Sequence, residues 1–204
     1  RPVVGMWVFP WGALRGMCVP CPTLWPAGWW STLRTSTRRK GDNRPMDEIV
    51  KQALAKWPDV PDCYGWLGLD ARGRWYLRDE AVQAAGSFAR SRGALLQHEK
   101  LIEFIGRNYE CDAQGQWFFQ NGPQRVYVEL EVTPLIWRVE ADFSVRSHTG
   151  RSAEVQECLV DALGHVYLLA GHHVGLVHSL AVPTVALAVE AERWVPRVVS
   201  AEDL

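Results

Sequence analysis

Asp70-Ala-Arg-Gly73-Arg-Trp-Tyr-Leu77 returns as Asp112-Ala-Gln-Gly115-Gln-Trp-Phe-Phe119 and again as Asp161-Ala-Leu-Gly164-His-Val-Tyr-Leu168. An aspartate followed three residues later by glycine is a turn signature. The carboxylate accepts backbone N–H groups just ahead of it, and the glycine tolerates the positive φ of a bulged hairpin. Each copy follows apolar residues (Leu67 and Leu69, Tyr109 and Cys111, Leu159 and Val160) and runs into three large apolar ones. Each therefore reads as strand, tight turn, strand. A calcium loop needs further carboxylates or amides at alternate positions, which no copy supplies.

Working outward, Gly122 and Gly171 fall at matching offsets after the second and third copies, and each introduces a third strand. In the second copy Val126, Val128, Leu130 and Val132 alternate with Arg125, Tyr127, Glu129 and Glu131, the pattern of a half-buried strand ending near Pro134. The first copy instead turns helical after Asp79, and Ala94, Leu101, Phe104 and Ile105 mark a longer helix over about 94–107. Ahead of all three, Val50, Ala53, Leu54 and Trp57 form the stripe of an amphipathic helix, with Asp47 and Glu48 in its first turn and Pro58 stopping it. The triplets 75–77, 117–119 and 166–168 are apolar at every position, so their strands need cover on both faces, from helices on one side and a second sheet, a partner or a ligand on the other. The expected fold is α+β: antiparallel β-hairpins and meanders packed with two or three helices.

The formal charge of −1 averages two unlike segments. Residues 1–45 carry Arg1, Arg15, Arg34, Arg38, Arg39, Lys40 and Arg44 against Asp42 alone, a balance of +6 that leaves −7 for the remainder. The same stretch holds five of the eleven tryptophans and six of the twelve prolines, without a hydrophobic period. The expectation is a leader over 1–45, disordered or translated from upstream of the gene, and a single α+β domain over 46–204. The apolar run 3–14 is broken by Pro10 and is shorter than the roughly 20 residues a spanning helix needs, so no membrane role is expected. The acidic remainder argues against nucleic acid, whose backbone is bound by clustered Lys and Arg. Cys18-Val-Pro-Cys21 has neither a preceding strand nor a second CxxC to make a redox or zinc motif. Cys63, Cys111 and Cys158 suit thiols in a reducing compartment, hence a cytoplasmic location.

For chemistry, the third meander gathers His165, His172, His173 and His178. A loop at Ala170-Gly171 sets His165 opposite Leu176 and places His165, His172 and His178 on one face. His172 and His178 then lie about 20 Å apart at the strand rise, too far to share a metal, and only the diagonal neighbours His165 and His178 remain as candidate ligands. His98-Glu99 begins like HExxH, but Ile102 occupies the second ligand position. No nucleophile elbow, phosphate loop or dinucleotide fingerprint is present, no pair of carboxylates can be assigned to one pocket, and no cofactor is expected. The segments Arg107-Asn-Tyr109 and 118–127 combine polar and aromatic groups around a loop, which makes Arg107, Asn108, Arg125 and Tyr127 the candidate binding residues. The simpler alternative for the second segment is an Asn-Gly turn followed by proline between two strands.

Tyr64-Gly-Trp-Leu67 through Asp70-Ala-Arg-Gly-Arg-Trp75, His98-Glu-Lys-Leu101, Phe104-Ile105, Arg107-Asn-Tyr109 and Trp117 through Tyr127 resemble a family of uncharacterised proteobacterial proteins, over about residues 46–140. The resemblance implies a bacterial cytoplasmic protein and carries no activity or catalytic residues with it. Two functional classes follow. The first is a module that binds a protein partner or a second copy of itself through an aromatic sheet face, and the second is a metal-dependent protein using His165 and His178.

Overall fold

The first D-A-x-G turn joins β1 (Cys63–Leu69) to β2 (Trp75–Leu77) with Leu67 opposite Leu77 and Leu69 opposite Trp75. The structure is a computed structural model and describes residues 48–57 and 59–200. The expected leader, with Cys18, Cys21 and the basic run 38–40, lies outside the described residues. The described residues all belong to one compact unit.

Helix α1 (Glu48–Lys56) leads into β1 and β2, followed by α2 (Glu80–Ala84), β3 (Ala94–Leu95) and α3 (Glu99–Arg107). Then come β4 (Tyr109–Cys111), β5 (Trp117–Asn121) and β6 (Gln124–Leu130), the meander around the second turn. A second set follows: β7 (Ile136–Val139), β8 (Val145–Ser147), β9 (Ser152–Ala153), β10 (Val155–Val160), β11 (Val166–Ala170) and β12 (His173–Val177). The chain ends in a 3-10 turn (Ser179–Ala181), α4 (Val182–Glu190) and β13 (Pro196–Val198). The strands make two mostly antiparallel sheets, ordered β3-β2-β1-β6-β5-β4 and β13-β10-β11-β12-β7-β8-β9, so the fold is α+β.

The helix expected over 94–107 starts later. His98 caps it, its Nδ1 accepting from Leu101 N at 3.3 Å. Ala94 and Leu95 instead add an edge strand to β2, with Tyr76 opposite Leu95. Gly93 makes this possible: its φ is +87°, and a Cβ there would collide with the Leu77 carbonyl. The excursion between β2 and β3 is tied down by Arg78, a buried arginine that donates to Ser91 O (3.1 Å), Gly65 O (3.3 Å) and Gly86 O (2.6 Å) and pairs with Glu129 at 2.6 Å. Helix α4 carries no charge before Glu190 and so has no amphipathic stripe by which to be read from sequence.

Among the described residues the backbone turn of the three D-A-x-G copies occurs five times. At Asp70, Asp112 and Asp161 the first residue donates its N–H to the carbonyl four positions on and accepts one from the glycine. In each, Oδ1 accepts two further N–H groups at 2.8–2.9 Å. The same backbone pattern closes Glu140–Ser144 and Ser147–Arg151. In the first of these a phenylalanine, Phe143, takes the left-handed position at φ 64°, and in the second the Ser147 hydroxyl accepts from Arg151 N in place of a carboxylate.

A single apolar core joins the two sheets. Leu67, Leu69, Trp75, Tyr109, Trp117 and Phe119 of the first sheet pack with Phe104 and Ile105 of α3, Val50 of α1, Trp137 and Leu168 of the second sheet and Val185 of α4. Trp137 fits because residue 175 is glycine, where a Cβ would stand 2.6 Å from the indole Nε1 and from Leu135 O. The indole N–H instead donates to Leu168 O at 3.0 Å. On the other face of the second sheet Ile136, Leu159, Tyr167, Leu176 and Val199 make a smaller cluster, against which Ala71 of the first turn packs.

Candidate binding face

The strand β6 sends Val126 and Val128 toward the core and Arg125 and Tyr127 to the opposite face, as its alternation requires. Tyr127 lies directly across from Phe118 on β5. Its hydroxyl donates to Asp112 Oδ2 at 3.1 Å, and its ring is stacked on Tyr64 with centroids 4.6 Å apart and planes parallel. Arg125 spreads its guanidinium 4.8 Å from the centre of the Phe118 ring. Tyr64 is 57% exposed, so the outer leaf of this stack faces solvent. Beside it opens a cleft of about 520 Å³, walled by Arg125 and Pro123 from the β5–β6 connection, Pro61 and Asp62 ahead of β1, and Leu54 of α1.

The second turn holds the face in place. In the first and third turns the tyrosine six residues after the aspartate bonds Oδ2, through Tyr76 and Tyr167 at 3.3 Å each. In the second copy that position is Phe118, which has no hydroxyl, and Tyr127 supplies it from the next strand. Burial would raise the Asp112 carboxyl, but N–H groups of Gln116 and Gln114, the Tyr127 phenol and the nearby Arg125 hold it below the usual range. Burial and the Asp112 charge push the Tyr127 phenol up, so it remains a donor.

Of the candidate binding residues, the structure brings Arg125 and Tyr127 together on this face. Arg107 and Asn108 belong elsewhere, at the end of α3. Asn108 is fully buried, its amide donating to Phe104 O at 3.0 Å while its carbonyl accepts from Gln120 N at 2.8 Å. It closes the helix and joins it to β5. Arg107 lies over the Phe104 ring, and its carbonyl accepts from Arg151 Nη2 at 3.2 Å. Tyr64 and Phe118 are members of the face that the candidate set omitted. The signal of Tyr64 is weak, because it sits where β1 is bulged, between Cys63 and Leu67, and alternation alone cannot give it a face.

The third hairpin turns one residue later than expected, at Gly171-His172, both at positive φ (59° and 70°), with Ala170 opposite His173. Tyr167, not His165, therefore faces Leu176. His172 sits in the loop beside Gln156, and His173 lies edge-on to Trp117. His165 is exposed, its Nδ1 2.8 Å from Asp161 Oδ2, and His178 is buried with its Nδ1 accepting from Leu180 N at 3.2 Å. Among the described residues no group of three or more His, Cys, Asp or Glu could hold a metal ion.

Over residues 46–202 the chain matches the family DUF2944, described as a protein of unknown function (DUF2946). The chain belongs to that family. No curated protein matches this DUF2944 member. Two crystal structures of DUF1285 family proteins resemble it. One, from Silicibacter pomeroyi DSS-3, has 9% identity and a TM-score of 0.43, covering 72% of this chain and 79% of its own. The other, from Shewanella baltica OS155, has 15% identity and a TM-score of 0.41, covering 60% and 91%. At these scores neither likeness bears on how the DUF2944 chain works. None of the described helices is long and apolar enough to cross a membrane.

Proposed function

We propose that this chain is a binding module of the bacterial cytoplasm that docks protein through the Tyr64, Phe118, Arg125 and Tyr127 face, a second copy of itself being the partner to test. The observation that carries the reading is the exposed Tyr64 ring, stacked on the buried Tyr127 beside an exposed Arg125 laid on the buried Phe118. Tyrosine and arginine dominate interface energetics, and side chains held in place before binding lose less entropy when they bind. The reducing location is supported by Cys111 and Cys158, which form no disulfide. A metal-dependent reading on His165 and His178 has less support, because Asp161 and Leu180 N already engage their Nδ1 atoms.

Light scattering of the full chain across a concentration series tests this reading. A dimer that Tyr64→Ala with Arg125→Glu converts to monomer is the expected result. A monomer at every concentration removes self-association, and a dimer indifferent to both substitutions moves the contact to another face. Cell fractionation in a bacterial host tests the location.

A further inference from the structure

On the Ile136 face of the second sheet, two arginines and a histidine line up across three strands. Arg138 of β7 is directly paired with Arg146 of β8, so both side chains leave the same face. His178 adjoins them. Its N–H donates to Trp137 O at 2.8 Å, which continues the parallel pairing of Leu176 with Ile136 and Val177 with Trp137 one residue past β12. From the first sheet, the turn whose Ala71 packs on this face carries Arg72, with its backbone N–H fixed by Asp70 Oδ1 at 2.9 Å. Arg138 and Arg72 lie close enough to His178 that, after burial, they are the main causes holding its pKa below the ordinary value, with Asp70 opposing.

Like charges set directly opposite on neighbouring strands destabilise a sheet. Among the described residues no carboxylate forms an ion pair with Arg72, Arg138 or Arg146 to relieve them. Asp70, the nearest buried acid, is committed to Arg74 at 2.7 Å, with Arg92 at 3.9 Å and the Tyr76 hydroxyl at 3.3 Å. Glu140 follows β7 at the solvent edge and pairs with neither arginine. His178 adds a donor of fixed direction. Its Nδ1 accepts from Leu180 N, so the proton of the neutral ring sits on Nε2. Three guanidinium forks and an imidazole N–H match the oxygens of a tetrahedral anion.

We propose that Arg72, Arg138, Arg146 and the Nε2–H of His178 form an oxyanion site whose ligand is a phosphate group, free or carried on a small phosphomonoester. The site is separate from the Tyr64–Tyr127 face, on the other sheet, and stands or falls independently of it. The ligand supplies the negative charge that the Arg138–Arg146 pair lacks, and the first turn closes over it from the opposite sheet.

Titration calorimetry of the full chain with inorganic phosphate, and separately with glycerol 3-phosphate, at ionic strength held constant with sodium chloride, tests the site. One equivalent binds saturably, and the His178 ring resonances move with the same midpoint. Arg138→Gln and Arg146→Gln each weaken binding about tenfold or more, the effect of losing one charged hydrogen bond. Tighter binding of the ester assigns the site to phosphomonoesters, and equal or tighter binding of phosphate assigns it to the free anion. Arg138 is exposed and Arg146 half-buried, and the ligand-free Arg146→Gln chain should be at least as stable as the parent, which separates lost binding from lost folding. No saturable heat with either ligand, a His178 shift reproduced by sodium chloride alone, or unchanged affinity in both variants would overturn the proposal.

Discussion

The turns at Asp70 and Asp161 share backbone hydrogen bonds and differ in burial, the Asp161 side chain being 13% exposed against 2% for Asp70. Asp70 is 2% exposed and anchors a network in which Arg74, Arg92 and Tyr76 converge on one carboxylate. Glu131 extends that network, pairing with Arg92 and accepting from Ala71 N at 2.9 Å. Asp161 makes the same contacts to its own turn, with an exposed His165 in place of the arginine. A local motif specifies the shape of a turn, and tertiary burial decides how much stability depends on it. In water a lost N–H acceptor is replaced by solvent, whereas in the interior it leaves donors and cations stranded.

The largest effect expected from this contrast is Asp70→Ala. Arg74 and Arg92 are 45% and 40% exposed, so what is lost is a set of charged hydrogen bonds to a buried acceptor, about 2–3 kcal/mol, and urea unfolding should show a loss of that size, against a smaller one for Asp161→Ala. Comparable losses would mean that the turn geometry, not its burial, carries the energy. The carboxyl of Asp70 adds a pH signature. Burial alone would raise it, but the Arg74 N–H and guanidinium and the Arg72 N–H hold it below its ordinary value. Its stabilisation is therefore complete above the unfolded carboxylate range, near pH 4, and is lost as pH falls through the lower folded value. Asp70→Asn should flatten that acid limb.

Next comes His148, where the first turn meets the second sheet: a Cβ on Gly73 would stand 2.6 Å from the His148 Cβ. The ring is boxed by Trp75 and Tyr109, its Nε2 has no partner among the described residues, and burial, then Arg138 and Arg151, push its pKa down to about 3 against the pull of Asp70. The folded ring stays neutral while the unfolded one takes up a proton below about pH 6.5, so stability falls as pH drops from there toward 3. One such group contributes a slope of about 1.4 kcal/mol per pH unit. Stability measured between pH 6.5 and 4.5 should show this slope in the parent and lose about one proton's share of it in His148→Gln.

Smaller again are the phenol-to-carboxylate bonds. Tyr76→Phe and Tyr167→Phe both remove a hydroxyl from a buried ring; Tyr76→Phe should cost about 1 kcal/mol, and Tyr167→Phe less, because the Asp161 carboxylate it bonds keeps more contact with water. If the order is reversed in thermal melts, the burial argument fails. The smallest effect is expected at Phe143→Gly. Glycine relieves a left-handed φ that costs a side chain about 1–2 kcal/mol, but it gives up the Phe143 ring against Trp194 at 6.4 Å and Arg193 at 5.5 Å. A near-neutral melt with altered tryptophan fluorescence is the expected reading.

How far the sequence reaches is clearest in these same turns. Asp70, Asp112 and Asp161 could be read because the side chain and glycine that a bulged hairpin requires lie within five residues of one another. The turns at Glu140 and Ser147 could not, because Phe143 occupies the glycine position and a hydroxyl replaces the carboxylate, both tolerated only through the packing around them. Arg125 and Tyr127 were legible as one face because a strand alternates. Asn108 was not legible as a buried helix cap, because an amide between Arg107 and Tyr109 looks alike in a loop and in an interior. His165 and His178 were assigned a register from a loop that closes one residue later, since only the conformation of Gly171 and His172 decides it.

By itself, then, the sequence determined the α+β class, the three D-A-x-G hairpins and the outward set of Arg125 and Tyr127, all properties of short-range backbone chemistry and side-chain period. Only the tertiary structure decided which of three identical turns is buried, that Tyr127 lends its hydroxyl to Asp112 in place of Phe118, and that Arg72 from one sheet joins Arg138, Arg146 and His178 on the other. Those outcomes depend on strand order and on contacts between residues far apart in the chain, and no local pattern encodes such distances.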